Sequence, residues 1–167
     1  MWYLILKNIF KYIILFPLSL IYGWVIAVRN FLFDIGLLPS KRFIIPIISV
    51  GNLAVGGTGK TPHVEYLLSL FKKNTKTAVL SRGYKRKTTG FILANENANS
   101  QTIGDEPFQI FKKFPNITIA VDEKRVDGVN KLLKQLPDLQ LIILDDAFQH
   151  RHIQAGLSIL LTDYSNL

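Results

Sequence analysis

Cysteine is absent from the 167 residues, which excludes disulfides and thiolate metal sites and leaves the redox compartment undetermined. Acidic residues are scarce as well: 12 Asp and Glu stand against 20 Lys and Arg, a formal net charge of +8. Such a balance suits an acidic partner, whether anionic lipid, nucleotide or nucleic acid, and charge alone does not choose among them. Charged residues of both signs make up 19% of the chain and hydrophobic ones 49%, as in a folded protein with an unusually apolar portion. No internal repeat or low-complexity tract is visible, and the length allows one domain with its own core, or one domain plus an appendage.

The apolar excess is concentrated near the amino terminus. Between Lys11 and Arg29 the sequence reads YIILFPLSLIYGWVIAV, from Tyr12 to Val28, without a charge. This lies at the short edge of what spans a bilayer, and Pro17 and Gly23 are expected to kink or weaken a helix there. Trp2, Tyr3, Tyr12, Tyr22 and Trp24 supply interfacial aromatics; Lys7, Lys11, Arg29, Lys41 and Arg42 supply cations for anionic head groups. We read residues 1–38 as a membrane-embedded or interfacial anchor rather than a core helix. A cleaved signal peptide is not expected, because the basic residues fall inside and after the segment. Leu38-Pro39-Ser40 reads as the link to a second domain, 39–167.

Past the link, apolar strands alternate with amphipathic helices. Strands are expected at Ile44 to Val50, Thr77 to Ser81, Phe91 to Ala94, Ile117 to Val121, Leu139 to Leu144 and Leu157 to Leu161. Helices are expected over Lys60 to Lys73, from Glu106-Pro107 through Phe111, and over Arg125 to Gln135, with Asn95 to Ser100 a polar turn. In the first of these helices Val64, Leu67, Leu68 and Phe71 share a face, and Pro62 is tolerated in the first turn. Near-continuous apolar strands in this alternation predict an α/β fold, a mostly parallel sheet covered by helices on both faces.

Between the first strand and the first helix lies Gly51-Asn52-Leu53-Ala54-Val55-Gly56-Gly57-Thr58-Gly59-Lys60-Thr61-Pro62. Strand, glycine-rich loop and helix in that order cradle nucleotide phosphates: glycines at 56, 57 and 59 let successive N–H groups turn toward an anion at the helix N-terminus. Ala54 to Thr61 is the expected phosphate-binding stretch, with Lys60 reaching the β and γ phosphates of ATP and the Thr61 hydroxyl on Mg²⁺. The strict G-x-x-x-x-G-K-[ST] pattern has glycine where this chain has Ala54. The bland alternative is a glycine-rich turn that only joins strand to helix.

Asp145-Asp146 follows an apolar strand, where a phosphate-loop protein places its second acidic motif and an aspartate can hold Mg²⁺. The competing reading is a loop pair neutralised by Arg151. Gly104-Asp105-Glu106-Pro107 puts two carboxylates at a helix start, where Asp at the N-cap and Glu in the first turn are ordinary, so catalysis is the lesser reading from physics alone. Arg82, Lys85, Arg86 and Lys87 either bind an anionic substrate or form a solvated loop. His150 and His152 share a face only on a strand, and no metal pair is expected of them; His63 is read as a surface residue.

Taken in order, ISVGNLAVGGTGKTP, SRGYKRK, GDEP and LDDAFQHR, behind an apolar amino-terminal segment, resemble the tetraacyldisaccharide 4'-kinase (lipid A 4'-kinase) family over nearly the whole chain. The resemblance implies a P-loop NTPase-like kinase on the cytoplasmic face of a Gram-negative inner membrane. It would pass the γ-phosphoryl of ATP to the 4'-hydroxyl of a tetraacylated glucosamine disaccharide 1-phosphate. Its implied partners are ATP with Mg²⁺, the acylated lipid and the membrane surface, with no nucleic acid. It makes Asp105 the residue that assists deprotonation of the sugar hydroxyl, and Lys60 its catalytic companion. Glu106 and Asp145, with Thr61, become candidates for Mg²⁺; Asp146, Gln149, His150 and Arg82 become further site residues. The family's DDGFQHR has Gly where this chain has Ala147. The sequence is about half the family's usual length, without the carboxy-terminal lobe that carries the histidine partner of the catalytic Asp, and so reads as a fragment, a split gene product or a truncated copy.

Two other functions fit some of these features. A membrane-tethered P-loop switch or ATPase would share the anchor and the phosphate loop, but not GDEP, SRGY and DDAFQHR. An inactive nucleotide-binding remnant would keep all of them.

Overall fold

A six-stranded sheet is built by segments scattered from residue 47 to residue 161, side by side in the order Ile92–Leu93, Thr118–Val121, Thr77–Ser81, Leu141–Asp145, Ile47–Asn52 and Leu157–Leu161. The computed structural model describes residues 11–52, 59–147 and 151–162. The strands are β1 (Lys41–Arg42), β2 (Ile47–Asn52), β3 (Thr77–Ser81), β4 (Ile92–Leu93), β5 (Thr118–Val121), β6 (Leu141–Asp145), β7 (Ile153–Gln154) and β8 (Leu157–Leu161). The α-helices are α1 (Phe16–Asp34), α2 (Lys60–Phe71), α3 (Ser100–Ile103), α4 (Asp105–Lys113) and α5 (Arg125–Gln135), with a π-helical turn at Lys11–Leu15. All pairings in the large sheet are parallel except β4 on β5 at one edge; β1 and β7 form a separate parallel pair. Contacts divide the chain into two units, 1–40 and 41–167.

Side chains two apart on a strand share a face, and the core shows it. Ala78 and Leu80 of β3, with Ile142 and Leu144 of β6, pack beneath Val129 and Leu132 of α5. Val79 and Ile143, one position along, join Val64 and Leu68 of α2 and Ile110 of α4 on the other face. Both faces are therefore covered, which is why β3 and β6 are apolar along their middles and buried at every residue, the polar Thr77, Ser81 and Asp145 falling only at strand ends. Full burial of Leu68 or Ile143 contributes about 1.5–3 kcal/mol of transfer free energy each.

Several local expectations shift. Strand β2 starts at Ile47 rather than Ile44, because Pro46 cannot donate to a ladder and Ile44 stands fully exposed before it. Pro17 lies in the first turn of α1, directly after the π-helical turn Lys11–Leu15. Among the described residues α1 is the one helix long and apolar enough to cross a membrane by length and composition, and it is almost entirely exposed in its own unit. The polar stretch from Asn95 leads into α3: Asn99 caps it by accepting from the N–H groups of Gln101 and Thr102, and the Thr102 hydroxyl accepts from the Asn99 N–H.

Gly104 both closes α3 and caps α4, at φ +93. A Cβ there would lie 2.9 Å from the Tyr84 carbonyl oxygen and 3.0 Å from the Gly83 carbonyl carbon. Gly83 itself sits at φ +72, and a Cβ on it would meet the Ile103 carbonyl oxygen at 2.9 Å. The loop after β3 and the start of α4 thus touch backbone to backbone, with glycine needed on both sides. Gly104→Ala is expected to cost about 2 kcal/mol or more and lower the melting temperature by several degrees; an unchanged thermal melt would refute this packing.

Candidate functional site

Parallel strands put all their C-terminal ends on one edge, so the residues leaving β2, β3, β5 and β6 meet there. Helix α2 begins on that edge. Its N-cap is Gly59, left-handed at φ +78, and no side chain caps it, so the first-turn amides are left for an anion. Lys60 and Thr61 open the helix, both half-buried. Ala54, Val55, Gly56, Gly57 and Thr58 lie outside the described residues, as do Gln149 and His150.

Lys60 Nζ lies 2.8 Å from Asp146 Oδ1. Asp146 adopts φ +54, a left-handed turn immediately after β6 that a short polar side chain tolerates. Asp146, one of the two carboxylates that the competing reading assigned to Arg151, pairs here with the phosphate-loop lysine. His63, at the surface as expected, has Nδ1 2.8 Å from the Gly59 carbonyl oxygen.

Asp145, the last residue of β6, is 1% exposed. Its Oδ2 accepts from the Ser81 hydroxyl at 3.3 Å, while its Oδ1 is buried with no hydrogen-bond partner. Burial is the main reason that its carboxyl is pushed up to about 6; the Glu106 and Asp146 carboxylates add to the rise, and Ser81 and Lys60 oppose it. A buried carboxylate oxygen without a donor, with further carboxylates close by, is a donor set for a hard cation that keeps part of its water shell. No group of three or more His, Cys, Asp or Glu converges among the described residues, so such a cation would need oxygens from elsewhere, as nucleotide phosphates provide.

Asp105 and Glu106 are exposed in the first turn of α4. The N-cap is Gly104 and not Asp105, so Asp105 is spared that capping role. Arg82 is exposed after β3. Arg86 is not a substrate cation: its side chain is 3% exposed and is tied to Glu123 and to the Gly90 carbonyl, pinning this loop to the one after β5.

Sequence reading missed two members of this edge. Ser81 passed as the end of a strand, although a hydroxyl closing an apolar strand beside a glycine loop is a usable signal. Arg125, the first residue of α5, was read only as the start of that helix. It is 2% exposed, its Nη1 donates to the Asp122 carbonyl, and its Nε and Nη2 have no partner. Burial lowers its guanidinium to about 10 against the pull of Asp145, the opposite charge it feels most strongly.

The sequence model of the tetraacyldisaccharide-1-P 4'-kinase family matches residues 11–167. This chain belongs to that family. Tetraacyldisaccharide 4'-kinase of Flavobacterium johnsoniae is 54% identical over 154 residues, which are 92% of this chain and 45% of that relative. The same-named protein of Bacteroides thetaiotaomicron is 56% identical over 154 residues, 92% of this chain and 40% of that one. Among solved structures, the LpxK of Aquifex aeolicus in complex with ATP superposes with a TM-score of 0.84 at 40% identity, covering 91% of this chain and 49% of that one. The chain spans less than half the length of these tetraacyldisaccharide 4'-kinases.

Proposed function

We propose that this chain carries the nucleotide-binding half of an ATP-dependent lipid kinase, which phosphorylates the 4'-hydroxyl of a tetraacyl glucosamine disaccharide 1-phosphate in lipid A biosynthesis. The observation that carries this reading is the convergence on one sheet edge of the uncapped start of α2 with Lys60 and Thr61, the unsatisfied Asp145, and the exposed carboxylates opening α4. Family membership and the likeness to an ATP complex support it.

On this reading the loop from Ala54 to Gly59 wraps the β and γ phosphates, and Lys60 leaves Asp146 to neutralise their oxygens as charge develops. Asp145 and Thr61, with Glu106, would hold Mg²⁺, which when bound offsets charge on the phosphate oxygens. Asp105, exposed and free of the N-cap role, accepts the proton of the sugar hydroxyl, directly or through a partner group. Arg82 and Asp146 would complete the rim, and Gln149 and His150 are further site residues on the family resemblance alone. The experiment is transfer of labelled γ-phosphate from ATP to the disaccharide lipid in detergent, with the complete natural protein. Phosphate released to water but never to lipid would favour a P-loop switch; no turnover at all would favour an inactive remnant.

Helix α1 would hold the kinase at the cytoplasmic face of the inner membrane, where an acylated substrate resides. Deleting residues 1–38 is expected to move the protein from the membrane pellet to the supernatant. Retention of the deletion in low salt and release in high salt would instead make the basic loops the anchor.

A further inference from the structure

Helices α2 and α4 cover the same face of the sheet and run the same way, since α2 leaves β2 and α4 leads into β5, and β2 and β5 are parallel through β6 and β3. Both therefore begin at the edge that carries the site, α2 with Lys60 and Thr61 and α4 with Asp105 and Glu106. The seam between them is apolar, with Val64 and Leu68 of α2 in one cluster with Ile110 of α4. A carboxylate closes its rim. Glu65 Oε1 accepts from Gln109 Nε2 at 3.3 Å and Glu65 Oε2 accepts from Lys113 Nζ at 2.5 Å, so each oxygen of one α2 side chain holds one donor of α4. The Glu65 side chain is only 13% exposed, against 57% for Lys113.

Residues four apart on a helix share a face. One turn toward the start of α2 from Glu65 is Thr61, and one turn toward the start of α4 from Gln109 is Asp105. The contact thus ties the helices together one turn behind the hydroxyl assigned to the cation and the carboxylate assigned to the sugar proton. Apolar packing holds the helices side by side, but it is non-directional and leaves their axial register loosely set. A carboxylate shared between two donors is directional and sets it.

We propose that Glu65 is a positioning residue for phosphoryl transfer: by holding Gln109 and Lys113 it fixes the start of α4, with Asp105, relative to the start of α2, with Lys60 and Thr61. This rests on reading the edge as a kinase site. Glu65 stands a turn behind that edge and acts through the two helices. The phosphate loop and α2 supply most of the grip on ATP, whereas transfer to the sugar needs both helix starts in place. Its effect therefore falls on turnover and not on nucleotide affinity.

The test is steady-state transfer from ATP to the disaccharide lipid at saturating Mg²⁺, in the complete natural protein. Glu65→Ala is expected to lower kcat by about tenfold or more, because small misplacements of reacting groups are costly in rate, while KM for ATP stays within about threefold. The exchange of Glu65→Lys with Lys113→Glu rebuilds the ion pair with its ends reversed, and is expected to bring kcat back to within about threefold of wild type where neither single change does. Asp138→Asn removes the exposed pair with Lys76 at the opposite ends of the strands and is expected to leave kcat unchanged. Wild-type kcat in Glu65→Ala, a loss of kcat and ATP affinity in step, or an exchange no better than its single parts overturns the proposal. If Glu65→Ala loses its cooperative melt, Lys113→Met, which leaves Glu65 and the apolar seam in place, takes its part, and wild-type kcat there overturns it. A complete wild-type protein that passes no phosphate to the lipid would overturn the proposed function and this inference with it, an outcome distinct from a variant that matches wild type.

Discussion

Lys60→Ala is expected to lower MgATP-dependent phosphoryl transfer by roughly a thousandfold, because a preorganised donor to developing phosphate charge in a dry site contributes about 4 kcal/mol to the transition state. The first turn of α2 holds Lys60 with only 18% of its side chain exposed. Its removal also leaves Asp146 without the 2.8 Å ion pair seen here. That pair is half-exposed on the Asp146 side, so its loss contributes little to folding. Turnover should therefore collapse while the melting temperature barely moves. A variant retaining more than about a tenth of wild-type turnover would remove the phosphate-loop assignment.

Asp105→Asn should separate the two roles that its position allows. Asn keeps the shape and loses the basic oxygen. If Asp105 acts on the sugar hydroxyl, turnover on the disaccharide lipid at saturating ATP falls by roughly a hundredfold or more. Were it only a helix-start residue, the loss would be its interaction with the helix dipole, at most about 1 kcal/mol at an exposed site. The structure narrows that second reading, since Gly104 occupies the N-cap and Asp105 follows it. We expect lost turnover with an unchanged melt; turnover near wild type would end the catalytic reading.

The fold was legible because parallel strands buried on both faces run nearly continuously apolar. AVL within β3 and LIIL within β6 carry that signature. Boundaries drifted where backbone chemistry overrode hydropathy, as at Pro46 ahead of β2, and the short α3 capped by Asn99, just past the expected polar turn, had not been foreseen. For the site, spacing pointed to Lys60 and Asp145, because each directly follows or opens an element, whereas Glu106 entered only through the family resemblance. What spacing does not carry is partnership across the sheet. Nothing in the local sequence says that Asp146 meets Lys60, or that Arg86 is consumed by Glu123. Arg125 was hidden for a related reason: a cation at a helix start reads as solvated unless the strand beside it is known to end in a buried acid.

The pairing order of the sheet also sets when this site can exist. Strand β2, which leads into the phosphate loop, is hydrogen-bonded to β6 and β8 and to no nearer segment: Ile47 pairs with Ile142 and Ile48 with Leu157. Its ladder therefore closes only by joining distant parts of the chain, the slowest kind of contact to form. On a ribosome β2 emerges early and waits with both edges bare until the residues of β6 and β8 follow it out. The interior place of β2, which shields it in the finished sheet, makes it the strand of the large sheet that waits longest for its first partner during synthesis, and nucleotide can assist folding only after β6 has docked and brought Asp145 to the site.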